Sequence, residues 1–316
     1  MRAVLAWAFT IAVLVMSGCA SDSSTSPVDP PPAGTPAFRE EWTGLSLPED
    51  IALGHDGKRY VFDGREATVW VFGDGGVVLD RWILPGYSRS HYCGGGFVAP
   101  RRSESGSDTL FITDPCGDRI VKCLDDGTLV GQWGKSGEHP GEFQSPTSIE
   151  CDDAGHIYVL DRGNRRIQKF DADGSWLVSI PSGTGAPSLE DPIDISLAPG
   201  GLLYVLDRDA RRVHVFTTRG QFVSSWQPYR LNSPFLIDPR RLKVDDWGNV
   251  YFADRYRCRI VKSTLDGELL GAWGGCGAAA GEFDFPQGID VDWDGTVFVI
   301  DAFNDRVQVF TYDQSF

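Results

Sequence analysis

The sequence predicts an all-β protein, a six-bladed β-propeller whose four-stranded antiparallel blades are closed into a ring by the N-terminal strand. Three observations predict it. Asp63, Asp114, Asp161, Asp207, Asp254 and Asp301 follow one another at 51, 47, 46, 47 and 47 residues, and a period of that size marks an array of supersecondary units. Within a period, turn residues divide the chain into four short β-rich runs. Finally, a strand that the last unit lacks stands unattached ahead of the first.

The third unit shows the division most plainly. Thr147–Cys151 is a first strand, Asp152-Asp-Ala-Gly155 a tight turn and His156–Leu160 a second strand. Asp161–Arg165 is a wider turn, Arg166–Phe170 a third strand, Asp171-Ala-Asp-Gly174 another tight turn and Trp176–Ile180 the fourth. Asp and Gly at such places supply the positive φ angles that short hairpins require. Asp125-Asp-Gly127, Asp246-Trp-Gly248, Asp266-Gly267 and Asp294-Gly295 repeat the device. Four-stranded meanders repeated in this way are propeller blades.

Closure follows from counting. Nineteen residues after the repeated Asp stand Trp82, Trp133, Ile180, Trp226 and Trp273. In the sixth unit that position would be 320, beyond Phe316. The run Phe38-Arg-Glu-Glu-Trp42 matches Leu129-Val-Gly-Gln-Trp133 and Leu269-Leu-Gly-Ala-Trp273. It is therefore expected to complete the sixth blade, pairing a sheet edge that would otherwise be exposed.

At the N-terminus, Arg2 precedes an apolar run from Ala3 to Met16, too short for a comfortable membrane span and suited to a signal peptide. Met16-Ser-Gly-Cys19 resembles a bacterial lipobox, although Met16 stands where Leu, Val or Ala is more usual. The resemblance implies residues 1–18 as a lipoprotein signal peptide and lipidation of Cys19. Residues 19–37, rich in Ser, Thr and Pro, read as a semi-extended tether, and 38–316 as the propeller. The expected location is the bacterial cell envelope, facing periplasm or exterior; because Ala20 and Ser21 rather than Asp follow the cysteine, the resemblance to bacterial lipoproteins implies the outer membrane in a two-membrane bacterium. The formal charge of −15 argues against nucleic-acid binding by bulk charge. A monomer is expected.

From Phe38 to Phe316 the chain resembles the NHL-repeat propellers. The resemblance rests on Gly141-Glu-Phe-Gln-Ser-Pro146, Gly281-Glu-Phe-Asp-Phe-Pro286, Gly288-Ile-Asp-Val-Asp292 and the segment Asp301 to Arg306. It implies the fold; enzymes, receptors and scaffolds all use it. Unit one departs from the pattern with Thr68 in place of Arg. Unit two departs with Cys123 in place of Phe and an insertion at 101–107.

Six cysteines remain after Cys19. In an exported chain they favour disulfides, and the blade arrangement suggests Cys258–Cys276, Cys93–Cys116 and Cys123–Cys151. The recurrent Asp-x-x-x-x-Arg reads as scaffold, the carboxylate accepting from turn N–H groups and pairing with the Arg. Asp290-Val-Asp-Trp-Asp-Gly295 with Asp301 imitates calcium-loop spacing, but an intervening strand would carry Asp301 too far away to close a coordination shell.

The wide turns of units three to five place Arg162, Arg165, Arg208, Arg211, Arg255, Tyr256 and Arg257 on one side of the ring, with Arg240 and Arg241 at the channel mouth. Guanidinium groups there could hold an anionic peptide, protein or glycan through paired donors, or could merely neutralise neighbours such as Asp209. Glu49, Asp50 and Asp194 are expected at the same mouth, with Glu150, Lys243 and Asp290 deeper. Converging carboxylates allow a second reading, a metal-dependent hydrolase or lyase of lactonase or amidating-lyase type, in which His91 is the histidine nearest the right rim. No nucleophile elbow or zinc-binding helix motif is present. The first reading is a ligand-binding module with neither metal nor cofactor.

Overall fold

The computed structural model describes residues 34–312, apart from 55–56, 85, 87–97, 103–107, 182–184, 229–235 and 237. Six four-stranded antiparallel sheets stand in sequence order around a central channel. Blade 3 is Pro146–Cys151, Ile157–Asp161, Arg166–Phe170 and Trp176–Ile180, within one residue of the boundaries expected from its turns. Blades 1, 2, 4 and 5 repeat this meander, starting at Pro48, Val98, Pro192 and Pro239. In blade 2 the first strand runs Val98–Arg102, so it takes up the first two residues of the expected insertion.

Blade 6 has the order that closure requires: Ala37–Trp42 lies outermost, beside Arg306–Thr311, with Trp42 opposite Val307. The ring is thus fastened by main-chain hydrogen bonds between strands from the two ends of the chain. Its core is distributed, with one apolar cluster in each of the six gaps between neighbouring blades. The second and third strands are buried on both faces, which is why Ile157-Tyr-Val-Leu160 and its equivalents read as continuous apolar runs.

The outer tryptophans tie blade to blade. Trp42 stacks on Phe72 of blade 1 at 5.1 Å between ring centroids and also meets Phe298 at 5.4 Å. Trp226 of blade 4 lies against Gly267 in the last hairpin of blade 5, where φ is +89° and a Cβ would collide with the indole. Gly is demanded there twice, by backbone and by the neighbouring blade.

The repeated Asp is buried at the wide turn. Asp161 bonds the Nε of Arg166 at 2.8 Å and accepts the N–H of Gln144 at 2.7 Å. Asp301 does the same with Arg306 and Asp284 at 2.8 and 2.6 Å. This is a scaffold pair with no calcium geometry, because Asp290 turns instead into the channel. In blades 3 and 6, Gln168 and Gln308 extend the network. Each accepts from the glycine of its Gly-Glu-Phe loop, at 2.9 and 2.8 Å, and donates to the glutamate carbonyl at 2.7 and 2.6 Å.

Of the expected disulfides, Cys258–Cys276 is present and joins the wide turn of blade 5 to the loop leading into blade 6. Cys116 is disulfide-bonded; its expected partner Cys93 lies outside the described residues, as do His91 and Cys19. Cys123 is not joined to Cys151. Alternation along a strand is the reason. Cys123 points into the gap between blades 1 and 2, with Trp82 and Leu110, whereas Cys151 packs into the gap between blades 2 and 3, with Phe111 and Trp133. The sheet of blade 2 separates the two sulfurs.

Candidate functional site

On the face bearing the wide turns, two aspartates organise the arginines. Asp191 and Asp238 immediately precede Pro192 and Pro239, which open the inner strands of blades 4 and 5. Asp191 accepts the Nε of Arg162 at 3.0 Å and also pairs with Arg208, drawing together the turns of blades 3 and 4. Asp238 pairs with Arg255 at 2.5 Å, with the Nε of Arg240 at 3.8 Å. That Nε is buried and has no hydrogen-bond acceptor among the described residues. Burial, then Arg255, loosens the hold of Arg240 on its proton; Asp238 works against this, and Arg208 and Arg162 add to it. Four guanidinium groups from three blades therefore act on one another. Opposing them stand Asp191, Asp238 and the outlying Asp209, 3.6 Å from Arg208.

An aromatic shelf adjoins the cluster. Arg255 lies over Phe285 at 4.3 Å, and Phe285 stacks on Phe303 at 4.2 Å with the planes 6° apart. Phe303 and Tyr256 are exposed. A guanidinium on an aromatic face with free ring surface beside it suits a ligand carrying both an anionic group and an apolar one.

The remaining arginines are disposed differently. Arg165 and Arg211 occupy the left-handed corners of their turns, with φ of 53° and 54°, and are exposed. Arg257 is half-buried before Cys258. Arg241 belongs to the channel and not to the outer sector: it is 6% exposed and lies 3.5 Å from Asp50 and 3.2 Å from Asp194. Asp194 also accepts the N–H of Leu242 at 2.7 Å.

The channel holds a cavity of about 130 Å³ lined by both tiers of charge. Lys243 lies 3.4 Å from Glu150 and 3.2 Å from Asp290. Burial pushes Glu150 up to about 7, against the pull of Lys243 and with the push of Asp290 and Asp194. Burial alone would lower Lys243, but Asp290 and Glu150 outweigh it and hold the ammonium well above its usual range. Glu49, expected at the mouth, is buried beneath the turn at Gly64 and does not line this cavity.

The fit of a divalent metal to this channel is poor. Asp50 and Asp194 already face one guanidinium, and Glu150 and Asp290 one ammonium, so a second cation would meet like charge. No group of three His, Cys, Asp or Glu among the described residues could hold one.

Asp191, Asp238, Phe285 and Phe303 were not among the residues singled out from the sequence. The aspartates did leave a signal: Asp191-Pro and Asp238-Pro recur at the repeat spacing. The shelf left none, since Phe303 meets Phe285 only across a folded turn.

Residues 143–170 and 283–310 match the NHL repeat model; these blade 3 and blade 6 segments begin at the Phe of each Gly-Glu-Phe loop and hold the Asp, Arg and Gln of the networks above. Two segments of the chain thus match NHL repeats. Among curated proteins, human NHL repeat-containing protein 3 is 40% identical over 72 residues, 22% of this propeller chain and 21% of that protein. Peptidyl-glycine alpha-amidating monooxygenase A of Xenopus laevis is 32% identical over 137 residues, 40% of this chain. The chain thus spans only about 14% to 21% of the length of these relatives. Among solved structures, a streptogramin B lyase superposes with a TM-score of 0.58 at 16% identity, covering 87% of this chain and 97% of that one. A gluconolactonase of Xanthomonas campestris superposes with a TM-score of 0.62 at 14% identity, covering 90% and 96%. At such identities the likeness is one of fold.

Proposed function

We propose that this NHL propeller is a binding module, held in the bacterial envelope through a lipid on Cys19, that takes an anionic peptide, protein or glycan on its wide-turn face. The observation that carries the reading is the convergence of Arg162, Arg208, Arg240 and Arg255 from three blades, with the Arg240 Nε lacking a hydrogen-bond acceptor among the described residues. Guanidinium groups that raise one another's cost of ionisation are relieved by an added anion, and a carboxylate, sulfate or phosphate would meet the half-buried Arg162 and Arg208 through charge-assisted bonds. The shelf of Phe285, Phe303 and Tyr256 would take the ligand's apolar part. The anchor rests on the lipobox-like Met16–Cys19.

The runner-up, a metal-dependent hydrolase or lyase at the channel mouth, draws on the named activities of the relatives. It is disfavoured by Arg241 and Lys243, which stand where a metal would need free carboxylates.

Titration with a heparin fragment and with a polyglutamate peptide tests the first reading. At least one should bind, more weakly as salt rises, with Arg208→Ala and Arg255→Ala each weakening it about tenfold, equivalent to about 1.4 kcal/mol. Binding of neither, or binding indifferent to both substitutions, refutes it.

A further inference from the structure

On the opposite face, where the tight hairpins lie, the seam between blades 6 and 1 opens into a cavity of about 490 Å³. That is within the range of ordinary small-ligand sites. Its apolar wall comes from Trp42 and Phe298. Arg59 lies over the Phe298 ring at 5.4 Å and spans the cavity, with Nη1 2.6 Å from Asp74 and Nη2 3.1 Å from Asp292. At the tip of the blade 6 hairpin Trp293 lines the same space, and 62% of its surface is exposed. An indole left this bare at a cavity mouth is informative, because large aromatic residues are ordinarily covered.

The composition narrows what could enter. An anion is disfavoured because Glu40, Asp74, Asp292 and Asp294 outnumber Arg39 and Arg59 in the lining. For a cation the difficulty is that Asp74 and Asp292 already share the Arg59 guanidinium, so a competitor must displace a charged pair. A purely apolar ligand would strip water from those same ions without replacing it. A hydroxyl both donates and accepts, so vicinal hydroxyls can bond carboxylate and guanidinium together while leaving their pair intact. The C–H face of a pyranose carries slight positive charge and suits the negative face of an indole.

We propose that the blade 6–blade 1 seam is a saccharide site, in which a neutral oligosaccharide stacks one ring on Trp293 and presents hydroxyls to Asp74, Arg59 and Asp292. The site is independent of the arginine face. Because the closing strand forms one wall, it exists only in the closed ring.

The test is an array of neutral and N-acetylated oligosaccharides probed with the purified full chain, with hits confirmed by calorimetric titration. At least one neutral glycan should bind. Trp293→Ala should weaken it at least tenfold and Asp74→Asn severalfold, while Arg208→Ala leaves it unchanged. Both altered residues are exposed, so circular dichroism should show an intact fold. Three outcomes overturn the proposal: no neutral glycan bound at millimolar concentration, binding unaltered by Trp293→Ala, or binding confined to spermidine added as a cationic control. Loss on Arg208→Ala would instead place the glycan on the opposite face and overturn the seam assignment alone.

Discussion

Asp63 shows what its partner does in the other blades. Blade 1 has Thr68 where blades 2, 3 and 6 have an Arg within 2.8 Å of the equivalent Asp. One Asp63 oxygen has no hydrogen-bond partner among the described residues, and burial pushes the carboxyl up to about 6, with the Ser46 N–H pulling the other way. A raised carboxyl contributes most below its unfolded value near 4, and that contribution is lost as pH rises through about 6. Thr68→Arg should lower the Asp63 carboxyl without removing the effect of burial, since Asp161 stays raised beside Arg166, and at pH 7 should stabilise the protein by roughly 1–2 kcal/mol. Paired denaturant melts at pH 5 and pH 7 check this, the gain being larger at pH 7.

His214 has the opposite sign. It stands seven residues after Asp207, as Gln168 and Gln308 stand after Asp161 and Asp301, but neither of its ring nitrogens has a hydrogen bond among the described residues. Burial depresses its proton affinity; Asp207, at 3.9 Å, opposes this, and Arg212 adds to it. The unfolded chain therefore binds the proton better, and stability falls as pH drops below about 6.5. His214→Gln should flatten that acid limb in a thermal melt series from pH 5 to 8. An unchanged limb would count against His214 as its source.

Among the elements, the joint between an outer-strand tryptophan and the next blade's hairpin glycine is where a small change should propagate. Gly267→Ala sets a side chain against Trp226 at a φ of +89°, and such strain costs roughly 1–3 kcal/mol. Urea denaturation should register that loss. Gly281→Ala is a fair control, because φ is +79° there too but no atom lies within 4 Å of the added methyl. The control should lose only the backbone share.

The whole molecule depends on the strand Ala37–Trp42. Without it, Arg306–Thr311 becomes an open edge, a template for pairing with other chains. Removing residues 34–42 should make the protein self-associate more than the full chain does in size-exclusion chromatography. Trp42→Ala retains the strand but empties its contacts with Phe72 and Phe298, and should cost roughly 3–5 kcal/mol without that self-association. The contrast separates main-chain closure from side-chain packing.

By itself the sequence determined the number of blades, their turns, the closing strand and the face on which the wide turns lie. These follow from period, from strand alternation and from the φ demands of Asp-Gly turns, all local to the chain. The scaffold role of Asp161 and Arg166 was legible for the same reason, the two being joined across a single turn. Only the tertiary structure decided which charges meet across blades. Arg162 and Arg208 share Asp191, Arg241 turns into the channel to Asp50 and Asp194, and Cys123 is screened from Cys151 by a sheet. Those contacts depend on the twist and offset of one blade against the next, set by how bulky side chains such as Trp226 and Trp42 fill the gaps.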